Sequence, residues 1–187
     1  MADELLTARL RLRRWSLDDL EDLVRIFAQP EVWEFPFGRG FTAPETEGFL
    51  ARRIQEQELG SWVVWAAEHR AGGGLIGYIG LSVPDFLPEI MPAVEVGWRL
   101  DPAEWGRGLA TEGARATLAD GFSARGLDEV VSIYQPENVA SGRVMARLGM
   151  RFDRDTRHPS SGSALRVYRL SRRQWEETAP SGQTPSG

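Results

Sequence analysis

Between residues 101 and 113 the chain reads DPAEWGRGLATEG, with Gly106 and Gly108 flanking Arg107 where a helix should begin. Glycine weakens a helix interior by about 1 kcal/mol relative to alanine, so a pair of them here asks for a reason. One reason is a tight turn that needs positive φ. The other is chemical. The first turn of a helix has free backbone N–H groups and the positive end of its dipole, and residues without side chains let a phosphate approach them. Gly106, Arg107, Gly108, Leu109 and Ala110 would present consecutive amides, and Arg107 can add charge-assisted bonds. The chain contains no lysine, which excludes a Walker loop, and Gly113 falls too far on for the dinucleotide pattern G-x-G-x-x-G. The run AGGG at 71–74 opens no helix and is read as a plain turn.

The elements around this stretch place further chemistry beside it. AVEVGWRL (93–100) is a strand, with Val94, Val96, Trp98 and Leu100 on one face and Glu95, Gly97 and Arg99 on the other. Glu95 is then a candidate proton acceptor, an anchor for a cationic substrate, or a solvated strand residue. Arg99 lies four positions on, roughly 13 Å along a strand, too far for a direct pair. The helix after the glycines runs to about Arg125, with Ala110, Ala114, Leu118, Gly121 and Phe122 on one face and Thr111, Glu112 and Arg115 elsewhere. LDEVVSIYQ (127–135) is a second strand. ENVASGRVMARLG (137–149) is a short helix with Asn138 as N-cap and Gly149 as its stop. Ser141 in that helix is either a hydrogen-bond donor or a small packing residue.

The remaining segments are assigned by the same periodicities. RLRLRRW (9–15) is a half-exposed strand, and Ser16 or Asp18 caps a helix through about Gln29 with Leu20, Leu23, Val24 and Phe27 on one face. Residues 29–46 form a loop with four aromatics, Trp33, Phe35 and Phe37 among them, and a second helix follows Thr42 over 44–58. Residues 62–70 and 75–83 make a hairpin; 84–92, containing Phe86, is a proline-rich connection; MRFDR and 164–170 are strands. This order predicts a mixed α/β fold with a largely antiparallel sheet and one parallel crossover in the middle.

Composition sets outer limits. The 187 residues fit one domain, expected over 1–175, with a polar, disordered tail at 176–187. A net charge of −5 argues against a nucleic-acid partner. The absence of cysteine removes disulfides and thiolate catalysis, and His69 and His158, assigned to separate turns, have no ligand spacing, so no metal is expected. The N-terminus has no signal-length apolar core and no window approaches a membrane span, so no membrane partner is expected and the location is expected to be cytoplasmic.

Together these segments resemble the GCN5-related N-acetyltransferase (GNAT) family, and within it the RimJ/RimL-like branch. The resemblance covers roughly residues 5–175. VEVGWRLDPAEWGRGLATEGARA (94–116) resembles the acyl-CoA motif R/Q-x-x-G-x-G/A, with Gly108 and Ala110 in the small positions and Trp105 where Arg or Gln is usual. PENVASGRVMARLGMRF (136–152) is similar to the branch's E-N-x-x-S helix, and LTARLRLRRWSLDDLEDL (6–23) to its first strand and helix.

The resemblance implies a mostly antiparallel twisted sheet of about six to seven strands, with a splayed parallel pair and about four helices. It implies acetyl-CoA as co-substrate, held by the backbone of Gly97, Trp98, Arg99 and Leu100 and by Trp105 through Thr111, with Arg107 beside the phosphates and Asn138 on the cofactor's amides. It implies direct attack by a primary amine in a ternary complex, with Glu95 as base and Ser141 donating to the leaving thiolate. The slot in which many members carry a tyrosine acid falls on Met145; Tyr134 is the reserve donor. Trp33, Phe35, Phe37 and Phe86 either line the acceptor cleft or seal the core, while Glu31, Glu34 and Glu89 are placed to attract an amine. A protein or peptide N-terminus is the favoured acceptor. A small antibiotic or metabolite amine, and a non-catalytic acyl-CoA sensor, are the alternatives. Homodimers are common in the family.

Overall fold

The computed structural model describes residues 3–60, 62 and 64–178. The chain enters through β1 (Glu4–Leu6) and β2 (Leu10–Arg13), followed by α1 (Leu20–Phe27), a one-turn α2 (Glu34–Phe37) and α3 (Ala43–Glu58). A meander of β3 (Val64–His69), β4 (Leu75–Ser82) and β5 (Glu95–Leu100) leads to α4 (Leu109–Ser123). β6 (Glu129–Tyr134), α5 (Val139–Arg147), β7 (Arg151–Arg157), β8 (Ala164–Ser171) and α6 (Arg172–Thr178) complete it. All eight strands form one sheet in the order β1-β2-β3-β4-β5-β6-β8-β7, antiparallel except for β5 and β6.

Two large cores sandwich the sheet, and a small third cluster of Leu87, Ile90, Val131 and Val167 joins the segment before β5 to β6 and β8. On one face Leu10, Ile79, Val96 and Leu100 meet Leu109, Ala114 and Leu118 of α4 and Met145 of α5. On the other face Leu23, Ile26 and Phe27 of α1 and Leu50 of α3 pack with Trp15, Trp33 and Ala66. α1 starts where expected: Ser16 and Asp19 form a reciprocal capping box, and a 3-10 turn at Leu17–Asp19 precedes the helix. Thr42 and Glu45 cap α3 in the same way. In α1 the fully buried residues are Leu23, Ile26 and Phe27, so Ile26 takes a place expected for Leu20 or Val24, which are only partly covered.

The sequence pattern undercounts the elements. Among the described residues there are eight strands rather than six or seven and six helices rather than about four. β1 is three residues long, too short to show alternation. β7 has no buried position at all. It is a charged edge strand held by its ladder to β8 and by ion pairs such as Arg169–Asp153 at 2.9 Å. The aromatic loop at 29–46 contains α2 and a 3-10 turn at Pro30–Trp33. His69 ends a strand instead of lying in a turn, and its Nε2 meets the Glu104 carboxylate at 3.1 Å. α6 continues to Thr178, past the boundary expected at 175; residues 179–187 of the expected tail lie outside the described residues. No helix among the described residues is long and apolar enough to cross a membrane.

Candidate active site

β5 and β6 run parallel, and each is followed by a helix. Parallel strands place both helix N-termini at the same edge of the sheet. The two strands share a single registered pair, Glu95 with Val131, and then diverge. The junction is held by Val131 N–H donating to the Val94 carbonyl at 2.8 Å and by the Ser132 hydroxyl donating to the Val96 carbonyl at 2.9 Å. Beyond it lies a cleft of about 1,020 Å³, lined by β5, the N-termini of α4 and α5, and the 31–41 segment. That volume is at the top of the range of about 300–1,000 Å³ for one small ligand, as two substrates held together require.

Gly106 and Gly108 have φ of +74° and +79°, so the turn does need glycine. The anion-site geometry is present as well. Gly108 is the N-cap of α4 and offers no side-chain acceptor, and the first helical bond found is Glu112 N–H to the Gly108 carbonyl at 3.0 Å. The amides of Leu109, Ala110 and Thr111 therefore lie in the uncapped first turn. The Thr111 hydroxyl lines the cleft and is buried with no partner among the described residues. This donor set suits phosphate oxygens.

Glu112 would place a carboxylate beside that site, but it is engaged elsewhere. It accepts from the Thr7 hydroxyl at 2.6 Å, from Arg9 N–H at 2.8 Å and from Arg9 Nε at 2.7 Å. Arg9 also donates to the Arg107 carbonyl at 2.9 Å, tying the first strands to the glycine turn. Sequence reasoning missed this pairing, because 103 residues separate the partners. Arg107 itself departs from expectation: its guanidinium pairs with Glu104, three residues back, and does not line the cleft. Trp105 lines it with its indole N–H donated to the Leu100 carbonyl at 2.8 Å.

The other expected residues converge on the cleft. Gly97, Trp98, Arg99 and Leu100 contribute from β5, and Asn138 and Ser141 from the start of α5. Asn138 acts as the N-cap, its Oδ1 accepting from Ser141 N–H at 3.1 Å; this leaves its amide group to donate. The Ser141 hydroxyl makes no hydrogen bond among the described residues. Met145 is buried in the core. Tyr134 lines the cleft edge-on to Tyr168, with ring centroids 5.8 Å apart.

Glu95 sits at the crotch of the diverging strands. The divergence leaves the Ile133 N–H without a β5 carbonyl, and it donates to Glu95 Oε1 at 3.3 Å instead. Burial pushes the carboxyl up to about 7; the Ile133 bond and the Arg99 charge offset only part of that rise. A carboxyl titrating there is suited to accepting a proton near neutral pH.

The aromatic candidates divide. Trp33 is both wall and core: it lines the cleft, is 6% exposed, stacks on Phe41 at 3.8 Å and lies under the Arg99 guanidinium, also at 3.8 Å. Phe37 and Phe86 are exposed at the cleft mouth, Phe86 stacked on His158 at 5.3 Å. Phe35 is half-buried, and its carbonyl accepts from Arg99 at 3.0 Å. Glu31 and Glu34 reach the cleft; Glu89 does not.

Comparison with known proteins agrees with this architecture. Residues 9–151 match the acetyltransferase (GNAT) domain family. YkkB of Bacillus subtilis, whose activity is uncharacterised, is 30% identical over 155 residues, 82% of this chain and 88% of its own. The FsC-acetyl coenzyme A-N(2)-transacetylase of Aspergillus fumigatus is 29% identical over 182 residues, covering 90% of this chain and 76% of that enzyme. Mycobacterium smegmatis RimJ, solved with a CoA-disulfide, shares the fold with a TM-score of 0.75 at 18% identity, over 95% of this chain and 90% of RimJ. With the splayed parallel pair, the family match and the YkkB identity in agreement, the chain belongs to the GNAT family of acetyltransferases.

Proposed function

We propose that the protein transfers an acetyl group from acetyl-CoA to a primary amine by direct attack in a ternary complex, with a protein or peptide N-terminal amine as the favoured acceptor. The observation that carries this reading is the position of Glu95, held in the gap between β5 and β6 and titrating near neutral pH. Acetyl-CoA supplies the acetyl group as a thioester. The amides at the start of α4 and the Thr111 hydroxyl would hold its pyrophosphate; the backbone of residues 97–100 and the Asn138 amide would hold its arm. Glu95 takes the proton that the acceptor's ammonium must lose before its nitrogen can attack. The second proton, released as the nitrogen becomes an amide, ends on the departing thiolate, to which the Ser141 hydroxyl, without a partner among the described residues, would donate a hydrogen bond.

The likeness to RimJ, within the branch whose members acetylate protein N-termini, favours an extended acceptor. The similarity to the FsC transacetylase favours a small amine as the second reading. Thiol release from acetyl-CoA across peptides, polyamines, aminoglycosides and amino acids decides between them. CoA should also raise the melting temperature. Gly108→Glu should abolish that rise by setting a carboxylate against the pyrophosphate; an unchanged rise would refute the assignment of the α4 N-terminus.

A further inference from the structure

Two of the guanidinium groups lining the acceptor half of the cleft keep unmet capacity: Arg53 is paired with Glu56 but leaves a buried N–H unused, and Arg99 has no ion-pair partner among the described residues. Arg53, on α3, has a side chain only 13% exposed. One of its N–H groups reaches Glu56 at 2.8 Å, and its guanidinium lies over the Phe49 ring at 5.3 Å. Its Nε is buried with no partner among the described residues. Arg99 donates to the carbonyls of Val32 and Phe35 and, through Nε, to the Tyr78 hydroxyl at 3.4 Å. It has no carboxylate partner among the described residues. The Trp33 indole N–H, in the same cleft wall, is also buried and unpartnered. Arginine cannot shed its proton to escape burial, and a desolvated cation left unmatched is costly. The missing acceptors are therefore expected on the ligand.

The sheet floor connects this cationic end to Glu95. Along the β4–β5 ladder Ser82 lies opposite Glu95, Gly80 opposite Gly97, and Tyr78 opposite Arg99. A Cβ at Gly97 would meet nothing within 4 Å, so neither sterics nor a positive φ explains that glycine. Its missing side chain leaves a bare saddle between a carboxyl, Glu95, and a cation, Arg99, set four strand residues apart. Glu31 and Glu34 stand exposed at the mouth, where water screens them; they draw an amine inward without neutralising the buried arginines.

We propose that the acceptor carries a carboxylate as well as its amine. The amine sits at Glu95, the intervening atoms cross Gly80 and Gly97, and the carboxylate meets Arg53 and Tyr78. This rests on the acetyltransfer reading above and narrows its substrate class. The carboxylate can belong to an acidic residue two or three places from a peptide N-terminus or to a long-chain ω-amino acid, and matched acceptor pairs separate these sources.

The test compares kcat/KM for Ser-Ala-Asp-Ala-amide against Ser-Ala-Asn-Ala-amide, and for 8-aminooctanoate against 8-aminooctanamide, acceptors long enough to cross the saddle, in wild type, Arg53→Met and Arg53→Lys. Binding of each acceptor to the CoA-loaded protein is measured in parallel. The wild type should prefer the acidic member of at least one pair by about tenfold or more, the usual worth of a hydrogen bond to a charged group. The pair showing the preference identifies the source. Arg53→Met should erase it with KM for acetyl-CoA unchanged, and Arg53→Lys should restore part of it. Equal use or binding of acidic and neutral acceptors, or a preference that survives Arg53→Met, overturns the inference. Thiol release with neutral or polyamine acceptors alone does the same and leaves the acetyltransfer reading standing. No stabilisation by CoA and no thiol release from any amine would refute both.

Discussion

Glu95→Gln separates the electrostatics of the site from its shape. Glutamine keeps the volume and an oxygen for the Ile133 N–H but cannot ionise. In the fold the carboxyl titrates at about 7 instead of 4.5 because burial outweighs its favourable contacts. The folded state therefore binds this proton more tightly than the unfolded chain. The stabilisation is complete below about 4.5 and is lost as pH rises through about 7. A shift of that size corresponds to about 3 kcal/mol at most. Glu95 lines a cleft open to water and is only partly covered, so screening reduces the expected effect to about 1–2 kcal/mol. Urea unfolding should find the variant more stable than wild type by that amount near pH 8 and equal to it near pH 4.5. In acetyl transfer, wild-type kcat/KM should climb through about pH 7, and the variant should lose that limb along with about 100-fold or more of its rate. A stability difference of the same size at both pH values would refute the desolvation argument. A variant that keeps its acid limb would remove Glu95 as the proton acceptor.

Ser141→Ala should slow the chemical step about tenfold or more in single-turnover experiments, with acetyl-CoA affinity unchanged; a normal rate would mean the thiolate is stabilised by something else. Gly113→Val should lower the melting temperature. A Cβ there would lie 2.3 Å from Ile79 Cδ1 and 3.3 Å from Leu10 Cδ1, in a core where both partners are fully buried. Overpacking of that kind costs about 1–3 kcal/mol, several degrees for a domain of this size. A variant that melts like wild type would show that α4 can lift off the sheet cheaply.

The parts of the site that were legible in sequence are those encoded within a few residues. The strand at 95–100, the glycine turn and the helix after it form one contiguous pattern, and Asn138 and Gly149 punctuate α5 as expected. The face of α4 was only partly legible. Gly113, set aside as too distant for a dinucleotide motif, instead lets the helix approach Ile79. What local pattern could not carry are pairings across the chain: Arg9 with Glu112, Arg99 with the carbonyls of the 30–37 segment, and Arg53 delivered from α3. The pairing of the Arg107 guanidinium with Glu104, three residues back, is a local charge contact that the glycine motif did not show.

The single β5–β6 bridge gives the molecule a mechanical seam. The chain crosses it once, through α4, and α6 reaches back to that helix by packing Trp175 beside Phe122 at 5.9 Å. β1–β5 and β6–β8 are thus arranged like two leaves of a book over a shared core, with Ser132 and Val131 as stitches in its spine. The amides of α4 and Glu95 stand on the first leaf, Asn138 and Ser141 on the second. A substitution that loosens the stitching would open the angle between the leaves and misalign base and donor without touching either.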